Sequence, residues 1–261
     1  MKPRLLIITI FLAVFLPLLP LVLWSLSGQW LYPDLLPQRF GLRAWEYVLS
    51  TAGGQIIGGL WQSLLLALAS TAISLLIGLP AGRALGLHSF TGKGLVVLLL
   101  TLPIIVPPLS VAMGLHLWFI RLGLAETFIG VVLVHLTFCL PYTLMVFWGV
   151  FADYNPDFEA QARSLGASPG QVMVRVMLPM ILPGITVAAL FAFLLSWSQY
   201  LSTLIIGGGR MLTLPILLFS LMDSGDRPVA AAVSLLFVMP AMLALLASAH
   251  ALGRRGLTGM R

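Results

Sequence analysis

Six stretches of this chain are too long and too apolar to suit anything but a lipid bilayer. A helix that crosses a membrane takes about 20 predominantly apolar residues. Leu5–Leu26, Leu60–Leu79, Leu95–Ile120, Phe128–Phe151, Ile181–Ile206 and Val229–Leu252 each supply such a run. The bilayer core holds no water to pair with backbone groups, and a helix meets its own hydrogen bonds within one segment. The expected fold class is therefore an all-α membrane protein with six transmembrane helices, forming one domain over residues 1–261. Only 8% of the residues are charged, where a soluble domain carries about a quarter. The first run follows Lys2 and Arg4, as a signal peptide would, but it stays apolar too long and "SLSGQW" offers no small-x-small cleavage site. It reads as a retained helix.

An even number of spans puts both termini on one side. With the termini inside, inner segments hold Lys2, Arg4, Arg83, Lys93, Arg163, Arg175, Arg254, Arg255 and Arg261, nine of the 14 basic residues. Arg39, Arg43, Arg121, Arg210 and Arg227 fall outside. The positive-inside rule therefore predicts cytoplasmic N and C termini. The net charge of +6 belongs to this asymmetry. No basic cluster interleaved with aromatics points to nucleic acid. Cys139 is the single cysteine and sits in an apolar run, so no internal disulfide exists.

This topology places "FEAQARSLGASPGQVMVRVMLPMILPGI", residues 158–185, on the inner side, running through the longest inner loop, 152–180, into the start of the fifth span. Asp157 can cap a short helix from Phe158, with Glu159 complementing its dipole. Phe158, Ala162 and Leu165 share a face, and Gly166 is placed to end the helix in the left-handed conformation. Ser168 followed by Pro169 predicts a second start, with Val172, Met173, Val176 and Met177 as an apolar stripe. Pro179 and Pro183 are then expected to bend the chain into the fifth span. Two short amphipathic helices are marginal alone in water. A lipid-surface helix carries more Lys and Arg than this one does, so the stripe predicts a docking partner.

These residues resemble the cytoplasmic "EAA" loop of ABC-importer permeases: Glu159, Ala160 and Gln161 stand for Glu-Ala-Ala, Gly166 falls at the family's gap, and Met180-Ile181-Leu182-Pro183 resembles its apolar-Leu-Pro ending. Gln161 replaces the second Ala. The segments "WQSLLLALASTAISLLIGLPAGRAL" and "LLSWSQYLSTLIIGGGRMLTLPILLFSL" are also similar to permease helices of the polyamine, thiamine and iron group, with Gln199 at a usually acidic position. The resemblance spans roughly residues 55 to 250. It implies a MetI-like permease fold in a bacterial inner membrane. It also implies two copies of a separate ATPase subunit that carries ATP and Mg, a second permease subunit (a sibling chain rather than an identical one) and an extracytoplasmic solute-binding protein. The solute implied is a polyamine such as spermidine or putrescine, thiamine or ferric iron. The coupling surface implied is Glu159, Ala160, Arg163, Ser164, Gly166, Ser168, Val172, Met173 and Val176.

The chain itself shows no ATP site and calls for no cofactor of its own. The nearest phosphate-loop lookalike, "LHSFTGKGL", has Leu87 at the first Gly position and Gly94 at the Ser/Thr position. Polar residues within spans are costly and functional candidates. His116, His135, Ser196, Gln199 and Tyr200 are the pathway candidates, with interhelical hydrogen bonding as the competing role for the two histidines. They show no metal-ligand spacing. An intramembrane Ser-His hydrolase would need a Gly-x-Ser-Gly sequence inside a span, and "GASPG" lies in the loop. A channel or secondary transporter working without an ATPase is the alternative, although no inverted repeat is evident. "MLTLPILLFSLM", residues 211–222, is apolar but short, and reads as a re-entrant or interfacial helix.

Overall fold

The computed structural model describes residue 13 and residues 15–31, 33–50 and 53–256. In chain order its elements are α1 (Leu18–Ser25), β1 (Ser27–Gln29), β2 (Arg39–Phe40), α2 (Arg43–Leu49), α3 (Gly54–Leu87), α4 (Lys93–Ile105), α5 (Pro108–Arg121), α6 (Phe128–Ala152), α7 (Asp157–Ser164), α8 (Pro169–Val172), a π-helical turn (Met173–Met177), α9 (Leu178–Trp197), α10 (Leu201–Gly207), α11 (Leu214–Asp223) and α12 (Arg227–Gly256). Among the described residues, four helical runs are long and apolar enough to cross a membrane: α3, α6, Pro169–Trp197 and α12. The pair α4 and α5 makes a fifth if counted as one bent span. Residues 5–12 and 14 of the expected first span, Leu5–Leu26, lie outside the described residues. Within them it contributes α1.

The expected third span, 95–120, is two helices meeting at 104°. Pro107 has no N–H to continue α4, and a residue before proline is pushed out of the helical region. Val106 is accordingly extended, at φ −76° and ψ 134°. Pro108 then takes the first position of α5, where its missing N–H costs nothing.

The fifth span departs from expectation in the opposite way. Pro179 and Pro183 do not break it, and Pro169–Trp197 is one helical run of 29 residues. The π turn lies directly before Pro179, with the Leu178 N–H bonding to the Met173 carbonyl five residues back. Widening the helix by one residue moves the local hydrogen-bond register, so the missing Pro179 N–H is absorbed where the ladder is already shifted. The run ends at Trp197, and α10 begins at Leu201.

The described residues group into two compact units. One takes the described residues up to Ser63 together with Leu212–Met242, and the other takes Leu64–Met211 and the described residues from Leu243 onward. In the first unit β1 and β2 form a small antiparallel hairpin. Arg43 pairs with Asp226 at 2.7 Å, and the Ser63 hydroxyl accepts the Leu214 N–H at 2.8 Å, tying α3 to the start of α11. The ten-residue α11 is the short apolar helix expected around 211–222.

In the second unit the axis of the core is α6. Its Phe147 and Phe151 are fully buried with Tyr154, Met177, Ile181 and Ala188. Its Val131, Val134 and Phe138 pack with Leu66, Phe119 and Ile206. What lets α3 approach α6 is a stripe of small residues at four-residue spacing: Ser70, Ser74, Gly78, Gly82 and Gly86. A Cβ on Gly82 or Gly86 would lie under 3.0 Å from Phe147 or Phe151 respectively. In lipid no hydrophobic force draws helices together, so close backbone contact through small residues supplies the attraction. The same stripe explains why α3 runs past Pro80 to Leu87: packing outweighs the one hydrogen bond that Pro80 removes.

Candidate functional site

The loop expected to dock a partner is two short helices, as read from the sequence, but its ends are built differently. Helix α7 starts at Asp157, not after it. The Asp157 N–H is taken by the Asn155 side chain at 2.9 Å, so Asn155 does the work expected of Asp157. At the other end Gly166 has φ +88°. Its N–H bonds to the Arg163 carbonyl at 3.0 Å, and the Ala167 N–H bonds to the Ala162 carbonyl at 3.1 Å. This is the paired 5→2 and 6→1 closure that a left-handed glycine permits. Ser168 then opens α8 with a capping box, its hydroxyl taking the Gln171 N–H while the Gln171 side chain takes the Ser168 N–H.

Glu159 is where sequence and structure part most sharply. It is only 3% exposed, not on the outer face. One carboxylate oxygen accepts Arg83 Nη2 at 2.8 Å and lies 3.6 Å from Arg163. The other accepts the Tyr154 hydroxyl at 2.9 Å. Arg83 also points its second nitrogen at the Met177 sulfur and lies over the Phe151 ring. Val172 is buried as well, and Val176 is half-buried. The exposed apolar groups are Phe158, Leu165, Met173 and Val174, with Leu165 at 88%. Ala160, Arg163, Ser164, Gly166 and Ser168 are exposed. A groove of about 460 Å³ runs between Phe158, Ala162 and Leu165 on one side and Arg175, Val176 and Pro179 on the other.

Burial alone would raise the Glu159 carboxyl, but the Arg83 and Tyr154 hydrogen bonds and the Arg83 and Arg163 charges outweigh it and hold the pKa below the ordinary glutamate value. Tyr154 is pushed up to about 12, first by burial and then by its bond to the Glu159 carboxylate. A depressed carboxyl stabilises the fold above its unfolded pKa and loses that contribution as pH falls through the folded value. A raised phenol contributes below its unfolded pKa and loses it as pH climbs towards the folded value. The packing of 157–177 is thus expected to hold from mildly acidic to mildly alkaline pH and to loosen below about pH 4 and above about pH 10. Amide hydrogen exchange across Phe158–Leu165 checks this, and flat protection through both limits would contradict it.

The pathway candidates separate into two sets. His135 is 1% exposed and bridges α9 and α10: Nδ1 lies 2.7 Å from the Ser196 hydroxyl and Nε2 lies 2.8 Å from the Thr203 hydroxyl. The Thr203 proton goes to the Gln199 carbonyl at 3.0 Å, so Thr203 must accept from Nε2–H. That leaves Nδ1 to accept from Ser196. With both ring nitrogens committed and no exposure, the Ser196–His135 pair joins helices and does not serve as a nucleophile and base. Gln199 and Tyr200 occupy the break between α9 and α10 and are half-buried. The Gln199 side chain accepts from the Ser202 hydroxyl. His116 is not in this cluster. It lines a cavity of about 550 Å³ with Met113, Gly114, Leu117 and Ile205. Among the described residues no group of three or more His, Cys, Asp or Glu could hold a metal ion.

Sequence reasoning missed Thr203, Arg83 and Tyr154. Thr203 lies seven residues beyond Ser196, a helical repeat that the break at Ser198–Tyr200 obscured. Arg83 registered only as one inner positive charge.

Several apolar helices long enough to cross a membrane, with an exposed two-helix loop between two of them, define a multi-pass membrane protein. Residues 74–256 match the family described as binding-protein-dependent transport system inner membrane component, and the chain belongs to that family. It is an ABC-importer permease subunit, a transport component of the inner membrane. The chain is 34% identical over 197 residues to the molybdenum transport system permease protein ModB of Mycobacterium bovis, covering 69% of this chain and 74% of that one. It is 23% identical over 245 residues to the spermidine/putrescine transport system permease protein PotC of Escherichia coli K12, covering 92% and 89%. To the trehalose transport system permease protein SugB of Mycobacterium tuberculosis it is 30% identical, over 58% of this chain and 56% of that one. In fold it matches a chain of a bacterial ABC transporter involved in the import of the acidic polysaccharide alginate, with a TM-score of 0.74 at 17% identity, covering 94% and 93%.

Proposed function

We propose that this chain forms half of a solute pathway and takes its motion from a separate ATPase subunit that grips residues 157–177. The observation that supports this most is the division of labour inside the loop. Its charged centre is satisfied internally by Arg83, Tyr154 and Arg163, whereas Phe158, Leu165, Met173 and Val174 stay exposed. A segment outside the bilayer that buries its polar groups and shows its apolar ones is built for a protein partner. Two ATPase copies, carrying ATP and Mg, would serve this chain and a sibling permease. The six-span topology with cytoplasmic termini rests on the charge asymmetry, and Ser164→Cys labelling only from the inner side is its test.

The family transports by way of a binding protein, and an extracytoplasmic one would deliver the solute here. The lining candidates His116, Gln199 and Tyr200 include no carboxylate, ammonium or guanidinium group. Among polyamine, thiamine and ferric iron, a polyamine comes first, because the similarity to a spermidine/putrescine permease runs along 92% of the chain. Spermidine, thiamine, ferric iron and molybdate are the solutes to compare, by binding to the associated solute-binding protein.

Leu165→Asp tests the docking reading. Its side chain meets almost nothing in the chain itself, so the fold is expected to keep its melting temperature. Yield of the co-purified ATPase should fall about tenfold or more, as befits loss of an apolar anchor at an interface. An unchanged yield would remove Leu165 from the contact.

A further inference from the structure

We infer that Arg83 is a positioning residue that locks the 157–177 loop to the ends of α3 and α6, and that Glu159 serves this internal lock and not the ATPase surface. This rests on the coupling reading given above and deepens it.

Four observations converge on one guanidinium. Arg83 Nη2 donates to Glu159 on α7 at 2.8 Å. Its other terminal nitrogen meets the Met177 sulfur at the end of the π turn. Its carbon stands 5.8 Å from the centre of the Phe151 ring on α6. The Glu159 carboxylate it holds is also bound by Tyr154, just past α6. One planar, five-donor group on α3 therefore touches α6, α7 and the turn into α9 together, a role that a flexible ammonium fills poorly.

The geometry explains why the lock matters. Beyond Arg163, the loop has little else polar to fix it. Ser164 and Ser168 make only local bonds, to Gln161 and to Gln171. A loop held by a satisfied, mostly buried ion pair transmits displacement to α3 and α6, and a loop released from it swings on Gly166 and transmits less. Coupling between two sites depends on such a two-sided element, and its loss costs on the order of five- to a hundredfold in the coupled quantity.

The test uses the complete importer, purified through a tag on this chain with its co-expressed ATPase and sibling permease and placed in proteoliposomes. The measured quantity is solute transported per ATP hydrolysed. If no ATPase accompanies the wild-type chain, the coupling reading itself fails. With a wild-type importer in hand, Arg83→Gln and Glu159→Gln are each expected to keep the ATPase bound but to lower transport per ATP about tenfold. Arg83→Lys should recover part of it, and Arg83→Glu with Glu159→Arg should recover more than either single reversal. Tyr154→Phe, which keeps the ring and removes one hydrogen bond, should give a smaller loss in the same direction and only a slight fall in melting temperature, by the one bond removed. Normal coupling in Arg83→Gln, or loss of the ATPase from Glu159→Gln with Arg83→Gln unaffected, would overturn the inference. The second result would return Glu159 to the ATPase surface.

Discussion

Gly82→Leu is expected to leave almost no folded protein. A Cβ at Gly82 would meet the Phe147 Cβ and backbone under 3.0 Å, and Phe147 is fully buried with no room to retreat. The next turn of the stripe is as tight, at Phe151 against Gly86, and the turn before it is close as well, at the Thr143 side chain against Gly78. The two helices would have to separate along their length. Overpacking usually costs about 1–3 kcal/mol, occasionally more, and a displacement shared by several turns belongs at the top of that range or above. Even Gly82→Ala should cost about 2 kcal/mol. Gly149→Ala is the control, since nothing lies within 4 Å of a Cβ there. Detergent-solubilised yield and monodispersity on size exclusion, with a thermal ramp for the alanine variants, decide it. A Gly82→Leu protein that elutes and melts like the wild type would show that α3 and α6 do not pack through this stripe.

His135→Ala is the second large effect. Two contributions compete. Interhelical hydrogen bonds in a membrane average only about 0.6 kcal/mol each, so losing both accounts for little more than 1 kcal/mol. The void left by an imidazole in a packed core adds more, since large-to-small changes there cost about 2–5 kcal/mol. We expect a loss of about 3 kcal/mol for His135→Ala and about half that for His135→Leu, which fills the space without the bonds. Thr203 softens the polar loss because it keeps its bond to the Gln199 carbonyl. Thermal denaturation of the purified chain ranks the two. If His135→Leu melts as low as His135→Ala, the hydrogen bonds dominate and the packing argument is wrong.

Much of this was legible in the residues themselves. Apolar length marked α3, α6, α9 and α12, because lipid removes every other way to satisfy a backbone. Gly166 and the Ser168-Pro169 pair were legible because their chemistry is local: a positive φ and a capping hydroxyl depend on a few neighbours. What failed to show was whatever depended on a distant element. Glu159 reads as an outward charge on an amphipathic helix, and only the arrival of Arg83 from 76 positions away turns it inward. Proline was ambiguous for the same reason. At Val106–Pro108 two adjacent prolines made a true corner, whereas Pro179 follows a widened turn and Pro183 sits in a run already held against α6. His135 and His116 look alike in sequence. One is sealed between helices and the other faces a cavity, a difference set by partners on α9 and α10.

The unbroken run from Pro169 to Trp197 has a mechanical corollary. At about 1.5 Å per residue, its 29 residues make a rod of about 44 Å. A lean of about 10° about the Pro169 end would carry the Trp197 end sideways by roughly 8 Å. A small tilt at one end of this segment is therefore a displacement of several ångströms at the other, and its length sets the ratio.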